Sequence, residues 1–120
     1  MKRKVYVLLD NIRSAENVGS VFRTADALGI EKIFVCGISP TPEHDKVVKT
    51  ALGAEKTVPW EHCLQAWRAV EELKTQGVYV AALEQAKGSV SLQKFRATFP
   101  VALVLGNEVK GVSPSVLRRA

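Results

Sequence analysis

A chain of 120 residues has room for one compact domain and not for two. With 47% hydrophobic and 24% charged residues it can bury enough apolar surface to offset chain entropy, which excludes a disordered chain. Lys and Arg outnumber Asp and Glu by 17 to 12, and the resulting +5 suits a nucleic-acid partner or plain solubility equally.

In chain order, Met1-Lys2-Arg3-Lys4 leads into a short apolar run, Val5 to Leu9. This is too short for a signal peptide, and no run approaches the ~20 residues of a membrane span, so a cytoplasmic protein without membrane attachment is expected. Val5–Leu9 reads as a buried strand. Val18, Val21, Phe22, Ala25 and Leu28 then recur at helical spacing, with Asn17 as the expected cap and Gly29 as the stop. Ile33–Cys36 is a second strand. A helix over Glu43–Leu52 turns Val47, Val48, Ala51 and Leu52 inward and stops at Gly53. Lys56-Thr57-Val58 is a short candidate strand. A third helix over Glu61–Thr75 turns Leu64, Trp67, Val70 and Leu73 inward. Val78–Leu83 and Val101–Leu105 are further strands. Between them Gly88-Ser89 marks a turn and Val90–Phe95 a helical turn. Ser113-Pro114 caps and opens a last helix that breaks off at Ala120. Alternating strands and helices predict an α/β fold with a mainly parallel sheet flanked by helices. Cys36 and Cys63 form no CxxC pair and have no His/Cys cluster beside them, so free thiols in a reducing cytosol are expected, and no metal. His44 and His62 read as surface helix residues, and Trp60 and Trp67 as core or dimer contacts.

The loop after the first strand, Asp10 to Ser20, is long and polar and opens a helix. Such loops at the carboxyl ends of parallel strands are where α/β proteins bind ligands. It holds a single glycine, which excludes GxGxxG, and no GxxxxGK[ST] occurs anywhere. Gly19 and Arg23 lie four apart, so a bare backbone at Gly19 beside the Arg23 guanidinium could take a phosphate or ribose. Spacing alone favours the plainer reading, in which Asn17 is a cap and Arg23 a solvated helix residue. The second constellation is Leu105-Gly106-Asn107-Glu108-Val109-Lys110-Gly111-Val112-Ser113, a buried strand running into a loop with two glycines and a carboxylate.

Taken together, Asn17-Val-Gly-Ser-Val-Phe-Arg23-Thr-Ala-Asp-Ala-Leu-Gly29 and Leu105-Gly-Asn-Glu-Val-Lys-Gly-Val-Ser113 resemble motifs 1 and 2 of the SpoU (TrmH-like) RNA 2′-O-ribose methyltransferases of the SPOUT superfamily. The similarity extends through Ala51-Leu52-Gly53-Ala54-Glu55. The resemblance implies a trefoil-knotted α/β fold and S-adenosylmethionine as cofactor. It implies a homodimer and a ribose 2′-hydroxyl of tRNA or rRNA as substrate. Carried over by position, it makes Asn17, Arg23 and Glu108 catalytic. Leu83, Glu84, Leu105, Gly106, Asn107 and Gly111 would be cofactor-binding. Arg13, Arg23 and Lys110 would be RNA-binding, with Lys2, Arg3, Lys4, Arg118 and Arg119 as further phosphate contacts. A guanidinium with a pKa above ~12 is a poor base, so the expected role of Arg23 is to hold a phosphate and stabilise oxyanion charge. Glu108 would orient Arg23 or the Asn17 amide. The family's third motif, a Ser-Leu-Asn stretch that completes the knot and the cofactor pocket, finds no match before Ala120. The single domain, residues 1–120, is therefore expected to be truncated at its C-terminus with the knot incomplete. Two readings stay open: an RNA methyltransferase core, or an inactive fragment keeping only RNA binding or dimerisation. A generic nucleotide-binding module is the third, and the missing glycine motifs count against it.

Overall fold

The computed structural model describes residues 4–83 and 99–119. Their elements, in order, are β1 (Val5–Asp10), α1 (Ala15–Leu28), β2 (Lys32–Cys36), α2 (Asp45–Ala51) and a 3₁₀ turn (Ala54–Lys56). Then come β3 (Trp60–Cys63), α3 (Ala66–Thr75), β4 (Tyr79–Leu83), β5 (Val101–Gly106) and α4 (Pro114–Leu117). The strands form one five-stranded sheet in the order β3-β2-β1-β5-β4, and every pairing is parallel. The expected α/β class is the one observed.

The apolar runs are continuous because the sheet is covered on both faces. Val7, Leu9, Ile33 and Val35 pack with Val18 and Phe22 of α1 and Val47 and Ala51 of α2. Leu8, Phe34, Cys36, Val80, Ala102 and Val104 face the other way, against Ala69, Val70 and Leu73 of α3 and Val116 of α4. α4 is short, and it is pinned to α3 by Arg119. That guanidinium sits 4.8 Å from the Trp67 ring centre, and its Nε donates to Glu71 Oε2 at 2.8 Å.

Several elements differ from the sequence reading. The N-cap of α1 is Ser14, whose Oγ accepts from the Asn17 amide at 3.1 Å; Asn17 lies inside the first turn. Lys56–Val58 is not a strand, since Ala54–Lys56 winds into a 3₁₀ turn, and β3 forms at Trp60–Cys63 instead. α3 accordingly begins at Ala66, Leu64 is 82% exposed, and His62 lies on a strand. The shift has a physical cause: the Trp60–Cys63 backbone completes the hydrogen bonding of β2, which a helix there would leave open. Val48, Leu52 and Leu28 are exposed, because α2 is a two-turn helix buried on one narrow stripe and, among the described residues, nothing covers the Leu28 side of the last turn of α1. Trp60 and Trp67 are half-buried against the two core clusters. Gly88-Ser89 and Val90–Phe95 fall outside the described residues.

The topology reverses at β1. From it the chain steps outward to β2 and β3, and β5 returns to β1's other side. The loops that follow β1, β2 and β5 therefore converge at the carboxyl edge of the sheet, at a switch point where open α/β sheets hold their ligands.

Candidate active site at the sheet switch point

Asp10 ends β1 and is 1% exposed. A carboxylate so buried must be hydrogen-bonded. Its Oδ2 accepts from the Ser113 amide at 2.7 Å, and its Oδ1 accepts from Asn11 Nδ2 at 3.0 Å. Asn11 adopts a left-handed conformation (φ 58°), which Asn tolerates better than most residues. Its Oδ1 accepts from the Ile38 amide at 3.0 Å, and its carbonyl accepts from Asn107 Nδ2 at 2.7 Å. A side chain at Gly37 would run into Asn11 Oδ1, at 2.0 Å from its Cβ, so the glycine makes this bridge between the first two loops possible. Ser39 is buried too, accepting from the Ile12 amide at 2.8 Å and donating to the Leu9 carbonyl at 3.2 Å.

The loop after β5 is closed on itself. Asn107 and Gly111 exchange backbone hydrogen bonds at 3.0 and 2.8 Å, and Asn107 Oδ1 accepts from the Val109 and Lys110 amides. Gly106 is packed under that closure: a Cβ there would come within 2.2 Å of the Val112 nitrogen. Glu108 projects from the loop tip to the start of α1. Its Oε1 accepts from the Arg13 amide at 2.9 Å. Its Oε2 accepts from the Ser14 amide at 3.1 Å and from Asn17 Nδ2 at 3.0 Å. Partial burial raises the Glu108 pKa. The hydrogen bonds from the backbones of Arg13, Ser14 and Glu108 itself, and from the Asn17 side chain, outweigh it and hold the carboxyl at about 2. Glu108 is thus an anion at neutral pH, seated where the N-terminus of α1 favours negative charge.

The structure brings Asn17 and Glu108, 91 positions apart, into direct contact. It does not bring Arg23 there. Arg23 is exposed on α1, and among the described residues no hydrogen bond or ion pair engages its guanidinium. Of the two orientations expected of Glu108, the one toward the Asn17 amide is present. The ligand space expected above Gly19 is absent, because α2 fills it: a Cβ on Gly19 would lie 2.5 Å from Thr50 Cβ and 2.8 Å from the Val47 carbonyl oxygen. Leu83 and Leu105 stand side by side at the ends of β4 and β5, both half-buried, and Gly106 follows. Glu84, Lys2 and Arg3 lie outside the described residues. Lys4 and Arg118 are exposed, whereas Arg119 is spent on Glu71, Trp67 and the Ser115 carbonyl. Asp10, Asn11 and Ser39 join the site although the sequence motifs do not single them out. An Asp directly after five apolar residues was the available signal for the first; Asn11 and Ser39 gave none.

Between the three loops lies a cavity of about 510 Å³, whose wall includes Arg13, Ile38, Val109, Lys110 and Ser113. No group of three or more His, Cys, Asp or Glu suited to a metal occurs among the described residues. The thiols are not poised for reaction. Burial pushes the Cys36 thiol far up, with help from Cys63 and Asp10, and burial together with Glu61 raises Cys63.

Comparison with known proteins gives a consistent result. The model of the SpoU rRNA Methylase family matches residues 4–120. A protein of Staphylococcus haemolyticus assigned to the TrmH family of tRNA/rRNA methyltransferases is 32% identical over 107 residues, which are 89% of this chain and 43% of that protein. The AdoMet-bound rRNA methyltransferase of Sinorhizobium meliloti superposes with a TM-score of 0.86 at 30% identity, covering 100% of this chain and 46% of that one. The SpoU methyltransferase AviRb of Streptomyces viridochromogenes, in complex with AdoMet, superposes with a TM-score of 0.81 at 27% identity, covering 100% of this chain and 49% of that one. The chain thus spans under half the length of these relatives.

Proposed function

The chain belongs to the SpoU rRNA Methylase family, and on that footing we propose that it carries the motif 1 and motif 2 part of an S-adenosylmethionine-dependent methyltransferase acting on a ribose 2′-hydroxyl of tRNA or rRNA. The observation that carries this reading is the Glu108 carboxylate, which locks the loop after β1 and the Asn17 side chain together at the switch point.

The chemistry that S-adenosylmethionine supplies when bound is an activated methyl group, so the protein's task is chiefly one of positioning. Leu83 and Leu105 fit such a cofactor: their half-buried, adjacent strand ends present an uncharged wall, and Gly106 keeps the following loop tight. Leu105, Gly106, Asn107 and Gly111, with Glu84, are the proposed cofactor contacts. The Asn107 side chain, fully engaged in the loop, would act through its backbone. Asn17 keeps its Oδ1 for a substrate hydroxyl while Glu108 holds its Nδ2. Arg23, without an acidic partner among the described residues, is free to bind a phosphate and steady negative charge on the 2′-oxygen. Arg13 and Lys110 supply further phosphate contacts. A cytoplasmic homodimer is part of the same reading, supported by the family resemblance.

Calorimetric titration of S-adenosylhomocysteine into the chain tests the cofactor half. Saturable one-to-one binding is the expected result, and a folded chain that binds none overturns it. Transfer of labelled methyl from S-adenosylmethionine to tRNA or rRNA, mapped by resistance of the modified linkage to alkali, tests the ribose target. Label recovered on a base instead would overturn that target.

A further inference from the structure

We propose that Cys36 and Cys63 are a modification site, forming a reversible disulfide across β2 and β3 when the protein meets a low-molecular-weight disulfide oxidant. The proposal concerns the chain's own thiols and stands apart from the methyl-transfer reading.

The sequence holds two cysteines, and the sheet sets them side by side. Strands β2 and β3 are parallel neighbours, and Cys36 is the register partner of Cys63. Both side chains lie on the α3 face of the sheet, Cys36 inside that core cluster and Cys63 packed against it. Adjacent strands run about 4.8 Å apart, within the ~4.4–6.8 Å between Cα atoms that a disulfide spans. Neither strand has to slide along the other for the bond to close. The thiols already feel one another, since Cys63 is among the groups that raise Cys36.

Access to the two is unequal, and that sets the order of events. Cys36 is 0% exposed, whereas Cys63 is half-buried on the edge strand. The Cys63 thiol donates to Oε2 of the exposed Glu61 at 3.9 Å. With oxidised glutathione as the oxidant, the Cys63 sulfur loses its proton and attacks one glutathione sulfur. The glutathione S–S bond breaks, one glutathione thiolate leaves, and a mixed disulfide forms on Cys63. Cys36 then loses its proton and attacks the Cys63 sulfur, expelling the second glutathione. Two protons and two electrons leave the pair, and one glutathione disulfide becomes two thiols. Burial keeps both thiolates scarce, so the exchange is slow and answers sustained oxidation rather than a brief pulse.

The pair reaches the switch point through its backbone. The Cys36 carbonyl accepts from the amides of Asn11 at 3.3 Å and Ser39 at 3.2 Å, and the Cys63 carbonyl accepts from the Gly37 amide at 2.8 Å. Cys36 is also the register partner of Asp10. The loop after β2 therefore hangs from both cysteines. A covalent tie between them holds that loop more firmly against the end of β1.

The test is the intact mass of the folded chain after equilibration with oxidised and reduced glutathione at several ratios, followed by acid quenching, unfolding and alkylation. The expected product is a monomer lighter by two hydrogens that takes up no alkylating reagent and is restored by excess reduced glutathione. Cys36→Ala should stop at a single glutathione adduct on Cys63, and Cys63→Ala should stay unmodified, with circular dichroism to check that both variants fold. Amide hydrogen exchange at Gly37 and Ser39 should be slower in the oxidised chain than in the reduced one. A wild-type chain that stays reduced, stops at the glutathione adduct or links only to a second copy overturns the disulfide. A disulfide that leaves exchange at those two amides unchanged overturns its reach to the switch point.

Discussion

Glu108 shows how much one carboxylate can organise. It accepts from two backbone amides and one side-chain amide, and all three donors belong to the loop and first turn that follow β1. A glutamine in its place offers one acceptor oxygen and turns an NH₂ toward N–H groups. Glu108→Gln is therefore expected to lower stability by about 1 kcal/mol, a modest figure because the group is exposed to solvent, read from the midpoint of urea unfolding. The pH dependence follows from the lowered pKa. The folded carboxyl titrates at about 2, below the ~4.3 of an unfolded Glu, so its contribution is complete above ~4.3 and is lost as the pH falls toward 2. The stability gap between wild type and Glu108→Gln should close over that window. A gap that stays constant from neutral pH down to pH ~2 would mean the carboxylate is not the anion holding the loop.

At the scale of elements, α1 is the piece on which both halves of the molecule depend. Its apolar stripe packs on the sheet, its N-terminus carries Glu108, and its side at Gly19 is crossed by α2. The crossing is close because Gly19 has no side chain; Thr50 and the Val47 carbonyl occupy the space. Gly19→Ala would gain helix propensity if α1 stood alone. In the folded protein it should cost about 1–3 kcal/mol instead, because α2 must move or strain. Thermal unfolding of the variant checks the sign. A stabilised Gly19→Ala protein would show that α1 and α2 do not approach this closely. The helix start was only partly legible in the sequence. Both Ser14 and Asn17 are good caps, and propensity cannot choose between them. Glu108 decides, because it gathers the amides of Arg13 and Ser14 and claims the Asn17 side chain. The strand at Trp60–Cys63 was illegible for a related reason. Glu61 and His62 are exposed on an edge strand, so no apolar alternation marks it, and only its pairing with β2 makes it a strand.

For the whole molecule, the decisive feature is a parallel sheet whose first strand is central. It brings Asp10 under Ser113, 103 positions away, and so ties the start of α4 to the end of β1. Asp10→Asn keeps the size but removes one acceptor from a buried pair. If its amide faces the Ser113 N–H, the mismatch leaves a buried donor unpaired. The expected cost is about 1–3 kcal/mol, together with faster amide hydrogen exchange at Ser113. Unchanged exchange at Ser113 would show that Asp10 does not hold that loop. The same geometry makes the candidate site a property of the assembled sheet rather than of any segment. Arg13 and Lys110 share a cavity with Ile38 because β2 and β5 both neighbour β1.

Patterning along the chain was enough for the α/β class, four of the five strands to within a residue or so, and the inward stripe of α1 at Val18, Phe22 and Ala25. These follow from periodicity and from continuous apolar runs, which are local properties. It also carried the family, because two motifs far apart in the chain jointly resemble one known pair. Tertiary structure alone decided that Asn17 meets Glu108 while Arg23 stands apart, and that Gly19 serves helix packing. It alone made Asp10 and Asn11 the hinge pins of three loops. Each of those outcomes depends on hydrogen bonds or contacts between residues distant in sequence. Their geometry is set by strand order, which no local pattern of side chains encodes.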